Sequence, residues 1–375
     1  MKKDWTYKKL IDVCGIQYGY PFDSKCFTED NTYPALIRIR DVVRGYTETF
    51  YKGDVPEEYY VQKGEYLIGM DGEFNIAPWR SEKALLNQRV CKIFSITSNV
   101  DIQFVYYSLQ RQLKQIEDET PFVTVKHLSA KRLNQIELPI PPLSIQRSIV
   151  AELDLLHSVI SKKKEQLREL DNLAQSLFYQ MFGDPITNPM GWEIKKLGEV
   201  APVKSYQGEI VSENGLYWLL NLDMVEAQTG KVIEKNMVDK GEIGNSTTSF
   251  SPDNVLYSKL RPYLNKVVLP DTCGYCTTEL LPLLPQRDIL NRGYLCYLLR
   301  SKSFVDYINI KVAGAKMPRV TMDDFRGFSL PLPPLSLQQS FAAKVSAIEA
   351  QKQAITQSIQ HTEALLAQRM DNYFG

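Results

Sequence analysis

Apolar residues recur every third or fourth position over two long stretches of the chain. The stripe in the first stretch consists of Ile149, Leu153, Leu156, Ile160, Leu167, Leu170, Leu177 and Met181, with Lys163 as its one interruption. A looser stripe in the second stretch consists of Phe341, Val345, Ile348, Ile355, Ile359 and Leu366. This spacing is typical of a helix that buries one narrow face against another helix. The pattern predicts two long helices that pair along these stripes.

A pair of prolines precedes each stretch. Pro141–Pro142 and Pro333–Pro334 disfavour helix in the residue before them and fix the backbone at the entry to the next element. The first helix is predicted to stop at Phe182-Gly183-Asp184-Pro185, where a glycine is followed by a proline. Each helix then has about 40 residues, which is about 60 Å at the usual rise.

The segments that flank these helices occur twice. LPIPPLSIQRS at 138–148 recurs as LPLPPLSLQQS at 330–340, with 8 of 11 positions identical. WTYKKLIDV at 5–13 recurs as WEIKKLGEV at 192–200. Between these two anchors each copy has a mixed pattern of strands and helices. The chain is therefore predicted to be an internal duplication.

The duplication predicts an α+β protein in which two similar mixed α/β globular domains are separated by a pair of long antiparallel coiled-coil-like helices. An alternative is that each helix packs only on its own globular domain. The predicted boundaries are 1–140 for the first domain, 141–185 for a central helix, 186–332 for the second domain and 333–375 for a C-terminal helix.

Within each domain, one segment differs in the polar side chains that it presents. The residues from Ala35 to Asp41 alternate Ile with Arg, which predicts a half-exposed strand with Arg38 and Arg40 on the same side. The counterpart from Trp218 to Asp223 is more apolar and presents Asn221. Different side chains on a repeated frame favour recognition of two different targets.

Composition gives a folded protein without an obvious partner. The 375 residues are 44% hydrophobic and 23% charged, which is ordinary for a globular chain. No apolar run is long enough for a membrane helix or a signal peptide, so a cytoplasmic protein is expected. The six cysteines are too sparse for a disulfide framework. Basic and acidic residues balance at 44 each, so net charge alone predicts no partner.

Motifs for catalysis are incomplete. A methyltransferase for base amines needs a glycine-bearing cofactor loop and an Asn/Asp-Pro-Pro-aromatic motif, and the sequence has neither. Gly230-Lys231-Val232 lacks the rest of a phosphate-binding loop. Asp184 with Glu193 and Lys195 loosely matches a nuclease spacing, but the repeat copy lacks the acid.

Metal and nucleophile sites are also not indicated. Cys273 and Cys276 have the spacing of half a zinc site, but a structural zinc needs two further ligands, and ordinary thiols are the interpretation that we favour. Three histidines in the whole chain support no Ser/His/Asp or Cys/His arrangement. We therefore predict no catalytic residue and no metal ligand.

With these features together, the whole chain resembles the DNA-specificity (S) subunits of Type I restriction–modification systems. The resemblance rests on the two opening anchors, on the two L-P-x-P-P-L-x-x-Q segments and on the helices that follow them. Phe182-Gly183-Asp184-Pro185 before Trp192, and Cys276-Thr277-Thr278-Glu279-Leu280, are also similar to the family.

The resemblance implies a non-catalytic specificity subunit. Each domain would be a target-recognition domain for one half of a bipartite, asymmetric double-stranded DNA target, and the helix pair would fix the spacer. Two modification (M) subunits would dock near the helices, and restriction (R) subunits would join them, with no membrane partner. S-adenosylmethionine, ATP and Mg are expected on those partner subunits and no cofactor on this chain.

A DNA surface would have to be a local patch. Residues 1–140 contain 19 basic and 19 acidic side chains, and residues 186–332 contain 17 and 16. The candidates are polar and basic residues in loops at equivalent places of the repeat, where Arg, Lys, Asn and Gln can meet phosphates or base edges. In the first domain they are Arg38, Arg40, Arg44, Asn75, Arg89, Lys126 and His127. In the second domain they are Lys259, Arg261, Tyr263, Asn265, Lys266, Lys316 and Arg319. Asp41 and Asp223 are expected to have structural roles.

Two other functions are compatible with the same pattern. One is a coiled-coil scaffold whose globular ends bind proteins instead of DNA. The other is an enzyme that methylates or cuts DNA without partners. If the resemblance holds, the two half-sites should lie about one helical turn, or about 34 Å, apart on the duplex.

Overall fold

The computed structural model describes residues 5–120, 126–314 and 317–375. Contacts divide the chain into two compact units, each of which contains one end of both long helices. Unit 1 is Met1–Lys162 with Ser358–Gly375, and unit 2 is Lys163–Gln357. Among the described residues, no helix is both long enough and apolar enough to cross a membrane.

Unit 1 is a mixed α/β unit, in which the first long helix follows the last strand directly. Its elements are β1 Thr6–Lys9, α1 Leu10–Val13, β2 Cys14–Tyr18, β3 Phe27–Thr28, β4 Ala35–Ile37, α2 Asp41–Arg44, β5 Phe50–Tyr51, β6 Tyr60–Val61, β7 Tyr66–Gly69, β8 Ile76–Pro78, β9 Ala84–Leu86, β10 Val90–Ser95, α3 Ile102–Glu119, α4 Ala130–Asn134, β11 Glu137–Ile140 and the start of α5 Leu143–Phe182.

Two larger sheets organise unit 1. The order β2-β10-β7-β8 forms an antiparallel sheet, and β3-β5-β4-β9-β6 forms a mixed sheet in which β4 and β9 are parallel. The first of these sheets packs on α3 and α4 around a core that includes Ile68, Ile93 and Leu109. A separate core around Trp79 lies between the two larger sheets.

Unit 2 repeats this plan with different strand lengths. Its elements are the end of α5, β12 Glu193–Lys196, α6 Leu197–Val200, β13 Leu216–Leu220, β14 Met237–Asp239, β15 Thr247–Phe250, β16 Val255–Ser258, β17 Val267–Val268, β18 Gly274–Thr277, β19 Leu280–Leu283, α7 Arg292–Arg300, α8 Lys302–Asn309, β20 Val312–Ala313, β21 Arg319–Val320, α9 Met322–Arg326, β22 Ser329–Leu332 and the start of α10 Leu335–Phe374. The sheets are β14-β13-β18-β15, β17-β16-β19, β20-β21 and β12-β22.

The two repeated sequence anchors pair with each other inside each unit. β1 runs antiparallel to β11, with Thr6 opposite Ile140, and β12 runs antiparallel to β22, with Glu193 opposite Leu332. The parallel pair β4–β9 has its counterpart in β13–β18. The predicted duplication is therefore confirmed in the fold.

The long helices contact each other in both units. In unit 1, Glu152 of α5 pairs with the Nε of Arg369 at 2.8 Å and accepts a hydrogen bond from Tyr373 at 2.5 Å. In unit 2, Asp171 of α5 pairs with Lys352 of α10 at 2.6 Å. Since early residues of one helix meet late residues of the other, the pair is antiparallel, as predicted. The alternative in which each helix packs only on its own globular domain is wrong.

Residues of the predicted stripes are buried or half-buried throughout. Apolar residues off the stripes, by contrast, include Leu155 and Leu173, which are 63% and 52% exposed. Near the end of α5 the buried face moves by one position, to Phe178 and Phe182. Both rings pack on Phe341 at centroid distances of 5.7 and 5.2 Å. The buried face of α5 is broader here than the predicted stripe, because it packs on the globular part of unit 2 as well as on α10.

The strand predicted from Ala35 to Asp41 is shorter than expected. β4 ends at Ile37 because the buried carboxylate of Asp41 accepts the backbone N–H of Arg38 at 2.8 Å and begins α2. Arg40 therefore lies in a turn and not on a strand. Asp41 has the structural role that was expected of it.

Candidate nucleic-acid interface

Three exposed arginines surround the end of β4 in unit 1. Arg38 and Arg40 line one open groove of about 800 Å³, together with polar residues such as Asn31 and Thr47. Although Arg40 is not on a strand, both side chains reach the same groove. Arg44 ends α2, with its guanidinium 6.0 Å from the ring centre of Tyr46. The groove is open and largely polar, and the carboxylates of Glu29 and Glu48 line it beside the two arginines.

A second cluster in unit 1 brings together three residues that are distant in sequence. Asp71 pairs with Arg89, and its other oxygen lies 2.5 Å from Nδ1 of His127. The carboxylate is nearly buried, whereas the side chains of Arg89 and His127 are each 59% exposed. Asp71 therefore orients two cationic or donor groups toward solvent.

Two further predicted residues of unit 1 have partners inside the fold. Lys126 donates from Nζ to the carbonyl of Glu117 at 2.5 Å. Asn75 donates to the carbonyl of Glu73 at 3.3 Å, while its own Oδ1 is buried and has no hydrogen-bond partner among the described residues. Neither side chain is as accessible as that of Arg89.

In unit 2 the acidic residue of the corresponding cluster lies at a different place, because Glu279 stands where unit 1 has Arg89 and Leu260 stands where unit 1 has Asp71. Arg319 holds Glu279 through Nη2 at 2.8 Å and through Nε at 3.1 and 3.2 Å. These hydrogen bonds hold the pKa of Glu279 below its ordinary value, with a smaller contribution from the charge of Lys259. The carboxylate of Glu279 pairs with one arginine, whereas the carboxylate of Asp71 in unit 1 contacts both Arg89 and His127.

The turn that follows β16 presents the most exposed candidates of unit 2. Arg261 and Tyr263 are exposed, and Tyr263 retains 48% of its accessible surface. Asn265 and Lys266 have partners inside the unit: Asn265 is 7% exposed and donates to the carbonyl of Arg300, and Lys266 donates to the carbonyl of Leu222 at 2.6 Å.

Burial lowers the pKa of Lys266, as expected for an ammonium group that is turned inward. Both side chains stabilise the turn through these hydrogen bonds, and a contact of either one with DNA stays a prediction. Lys316 lies outside the described residues.

Three backbone hydrogen bonds connect the segments that carry each of these clusters, and we call this set of bonds the frame. In unit 1, Met70 donates to Arg89 at 3.0 Å and accepts from Leu128 at 2.7 Å, and Gly72 donates to Lys126 at 2.9 Å. These three bonds join the strand ends that carry Asp71, Arg89 and His127.

The same three bonds occur in unit 2. Lys259 donates to Glu279 at 3.0 Å and accepts from Val320 at 3.1 Å, and Arg261 donates to Pro318 at 2.8 Å. The bonds align Met70 with Lys259, and Gly72 with Arg261. A common backbone frame thus carries different side chains in the two units.

The acidic partners Asp71 and Glu279 were not among the predicted site residues. Both orient predicted arginines through ion pairs between residues that are distant in sequence. The repeat gives no signal for them, because the counterpart of Asp71 is Leu260 and that of Glu279 is Arg89. A search for basic residues alone does not detect them.

Both halves of the sequence match one family model, described as the Type I restriction modification DNA specificity domain, over residues 2–172 and 189–363. The chain belongs to this family. Each match contains the globular part of one unit and most of the long helix that follows it in sequence. The sequence duplication is therefore also a duplication of the family's domain.

Two Type I specificity subunits are among the relatives of this chain. The chain is 37% identical over 191 residues to the Type I restriction enzyme EcoBI specificity subunit of Escherichia coli. That match covers 51% of this chain and 40% of the relative. The chain therefore aligns with less than half of the length of this relative. The MjaVIII specificity subunit of Methanocaldococcus jannaschii is 22% identical over 365 residues, which covers 88% of this chain and 79% of the relative.

Solved structures of the family share the fold. The S subunit of a Type I restriction–modification system from M. genitalium has a TM-score of 0.58 at 12% identity and covers 99% of this chain and 96% of its own. A chain from a structural study of complex assembly and conformational transition in the type I R-M system also has a TM-score of 0.58, at 18% identity, and covers 99% and 97%. These two likenesses concern the fold alone.

In this specificity-domain chain, the sites considered for catalysis have structural explanations. Asp184 accepts hydrogen bonds from the backbone of Ile186 and Thr187 and from Ser303, and these bonds keep its pKa low despite partial burial. Burial raises the pKa of the Cys276 thiol to about 12. The described residues contain no group of three His, Cys, Asp or Glu side chains that could hold a metal ion.

Proposed function

We propose that the chain is the DNA sequence-recognition subunit of a Type I restriction–modification complex. Each unit reads one half of a bipartite, asymmetric DNA target, and the helix pair fixes the spacer and docks methyltransferase subunits. The observation that carries the proposal is the shared backbone frame with different side chains at equivalent positions. A duplicated frame of this kind suits two different half-sites.

The chemistry of the complex would belong to its partners. Two modification subunits would methylate the DNA with S-adenosylmethionine, and restriction subunits would use ATP and Mg²⁺ to cleave it. The specificity subunit would itself be non-catalytic. Family membership supports this division, as does the structural role of Asp184.

The DNA-contacting surface would combine the groove and the clusters described above. Its exposed members would be Arg38, Arg40, Arg44, Arg89, His127, Arg261, Tyr263 and Arg319, with Asn75, Lys126 and Lys259 at its margin. Since each unit is close to neutral overall, the positive charge is local. Phosphate contacts would supply affinity that falls with salt, and groove-edge contacts would supply discrimination.

The test is co-expression with an adenine methyltransferase of the Type I modification-subunit class. We expect a complex with two methyltransferase copies for each copy of this chain, and this complex should select one bipartite sequence from random duplex DNA. Its affinity should fall steeply as salt rises.

A coiled-coil scaffold for proteins would show no salt-sensitive DNA binding in the same complex. A self-sufficient enzyme would methylate or cut DNA with this chain alone. Either result would reject the proposal.

A further inference from the structure

The turn after β16 contains two left-handed residues that are not glycine. Arg261 has a φ of 49° and Asn265 a φ of 50°, and they flank the short helical turn Pro262–Leu264. Asparagine tolerates this conformation, but an arginine in it costs about 1–2 kcal/mol. At the equivalent place in unit 1 the residue is Gly72, with a φ of 74°.

The frame itself imposes this backbone conformation. The N–H of Gly72 reaches the carbonyl of Lys126, and the N–H of Arg261 reaches that of Pro318, at 2.9 and 2.8 Å. Glycine satisfies this geometry without strain in unit 1. Arg261 in unit 2 therefore retains the strain of a left-handed backbone, which a glycine at the same position would relieve.

Packing within the fold does not account for the arginine. A Cβ built on Gly72 meets no atom within 4 Å, so this position faces open space in unit 1. The side chain of Arg261 is exposed and has no hydrogen-bond or ion-pair partner among the residues that the structure describes. By contrast, Arg319 nearby is held by Glu279.

Contacts inside the unit hold the turn in place. The side chain of Gln228 donates to the carbonyl of Tyr263 at 3.0 Å, and its backbone N–H donates to Leu264 at 2.9 Å. Asn265 donates to the carbonyl of Arg300 at 3.0 Å. Arg261 is thus presented from a well-anchored turn, which suits a side chain that must meet its target in one geometry.

We infer that Arg261 is a specificity-determining residue of unit 2, whose guanidinium recognises the guanine of one G·C pair in its half-site. A guanidinium can donate two parallel hydrogen bonds to O6 and N7 of guanine in the major groove. Strain retained at an exposed position without internal contacts points to an external ligand. The inference rests on the proposed function, since it assumes that unit 2 reads DNA. Unit 1 has only Gly72 at this place, so it reads its half-site with other side chains.

The test uses the full chain assembled with its methyltransferase subunits and random-sequence duplex DNA as the probe. Wild type should prefer guanine at one position of one half-site by about 5- to 150-fold. Arg261→Lys keeps the charge but cannot form the paired hydrogen bonds, and Arg261→Gly removes the side chain. Both variants should lose that preference and keep all others.

Thermal unfolding separates a functional role from a structural one. Arg261→Gly should have a Tm equal to or above that of wild type, because relief of strain offsets the greater freedom of glycine in the unfolded chain. Arg287→Lys is the matched control, because the side chain of Arg287 is 75% exposed in unit 2 and its guanidinium pairs with Asp253. The control should keep every preference.

Two outcomes would overturn the inference. If Arg261→Gly weakens binding equally for all sequences and lowers the salt dependence, the residue contacts a phosphate and not a base. If the variant selects the same sequence as wild type, the residue is a solvated charge. A wild-type complex that selects no bipartite sequence rejects the proposed function instead, so the two failures are distinguishable.

Discussion

Gln146 and Gln338 occupy the same place in the two units, and both side chains are fully buried. The Oε1 of Gln146 accepts the backbone N–H of Asp101 at 2.9 Å, and that of Gln338 accepts the N–H of Asn291 at 2.8 Å. Asp101 and Asn291 are the N-cap residues of α3 and α7. Each glutamine therefore ties the first turn of a long helix to the start of a domain helix.

The amide nitrogens complete the same arrangement. In unit 2, Nε2 of Gln338 donates to the carbonyls of Ile289 and Pro333, at 3.0 and 2.7 Å. The corresponding bonds of Gln146 go to Asn99 and Pro141. This arrangement explains why the glutamine recurs in both copies of the repeated segment.

Replacement of this glutamine should destabilise its unit. Gln338→Ala leaves the N–H of Asn291 and two carbonyls without partners in a buried place, which should lower the free energy of unfolding by about 2–4 kcal/mol. Gln339→Ala changes the exposed neighbour on the same helix turn and should stay within about 0.5 kcal/mol. Urea denaturation of the full chain measures both. Equal effects of the two variants would contradict this role for Gln338.

Backbone strain can be isolated at the glycine of the unit 1 frame. In Gly72→Ala the added Cβ meets no atom within 4 Å, but an L residue is forced to a φ of 74°. The free energy of unfolding should therefore fall by about 1–2 kcal/mol. Gly241→Ala is the control, because its Cβ also meets nothing and its φ is not left-handed. That variant should be neutral or more stable by up to about 1 kcal/mol. Denaturation midpoints that fall alike for both would show that φ is not the cause.

The Arg319–Glu279 pair should make unit 2 sensitive to acid. Because hydrogen bonds from Arg319 lower the pKa of Glu279 in the fold, the unfolded chain binds this proton at higher pH than the folded one. The stabilisation is therefore complete above the ordinary pKa of 4.5 and is lost as pH falls through the lower folded value. It should be modest, since the arginine side chain is 42% exposed.

Glu279→Gln removes the titrating group and should flatten this part of the stability profile. Glu209→Gln, at an exposed position of the same unit, is the control and should keep the wild-type profile. Urea midpoints measured from about pH 6 down to about pH 3 test the difference. A Glu279→Gln profile that follows wild type would reject the assignment.

Patterns with a long period were the most informative part of the sequence. The four-three spacing from Ile149 to Met181 specifies a paired helix over many turns, so local exceptions such as Lys163 do not hide it. Short elements depend on single contacts instead. The strand at Ala35 ends early because one carboxylate, that of Asp41, captures the N–H of Arg38.

Site residues were harder to predict because accessibility depends on turns that the pattern does not encode. Asn265 and Lys266 have the side chains of DNA-contacting residues, but the left-handed turn directs both inward. Asp71 was missed for the opposite reason, since an acidic residue is not expected to face DNA. Its role comes from the strand ends that bring Arg89 and His127 beside it.

The proposed role of the helix pair predicts how the DNA target responds to helix length. One extra heptad in each helix, within 149–181 and 341–373, keeps the stripes in phase because seven residues are two turns of the stripe. The insertion adds about 10 Å to each helix, which corresponds to about three base pairs of duplex. We expect the complex to select a target with a longer spacer and the same two half-sites.

The control is a four-residue insertion in α5 alone, which takes the two stripes out of phase and should weaken assembly instead of changing the spacer. Selection from random duplex DNA by the assembled complex reports both half-sites and the spacer in one experiment. Altered half-sites with an unchanged spacer would mean that the helices do not set the distance. Unchanged half-sites with a longer spacer would assign reading to the globular units and spacing to the helices, because only the helices were altered.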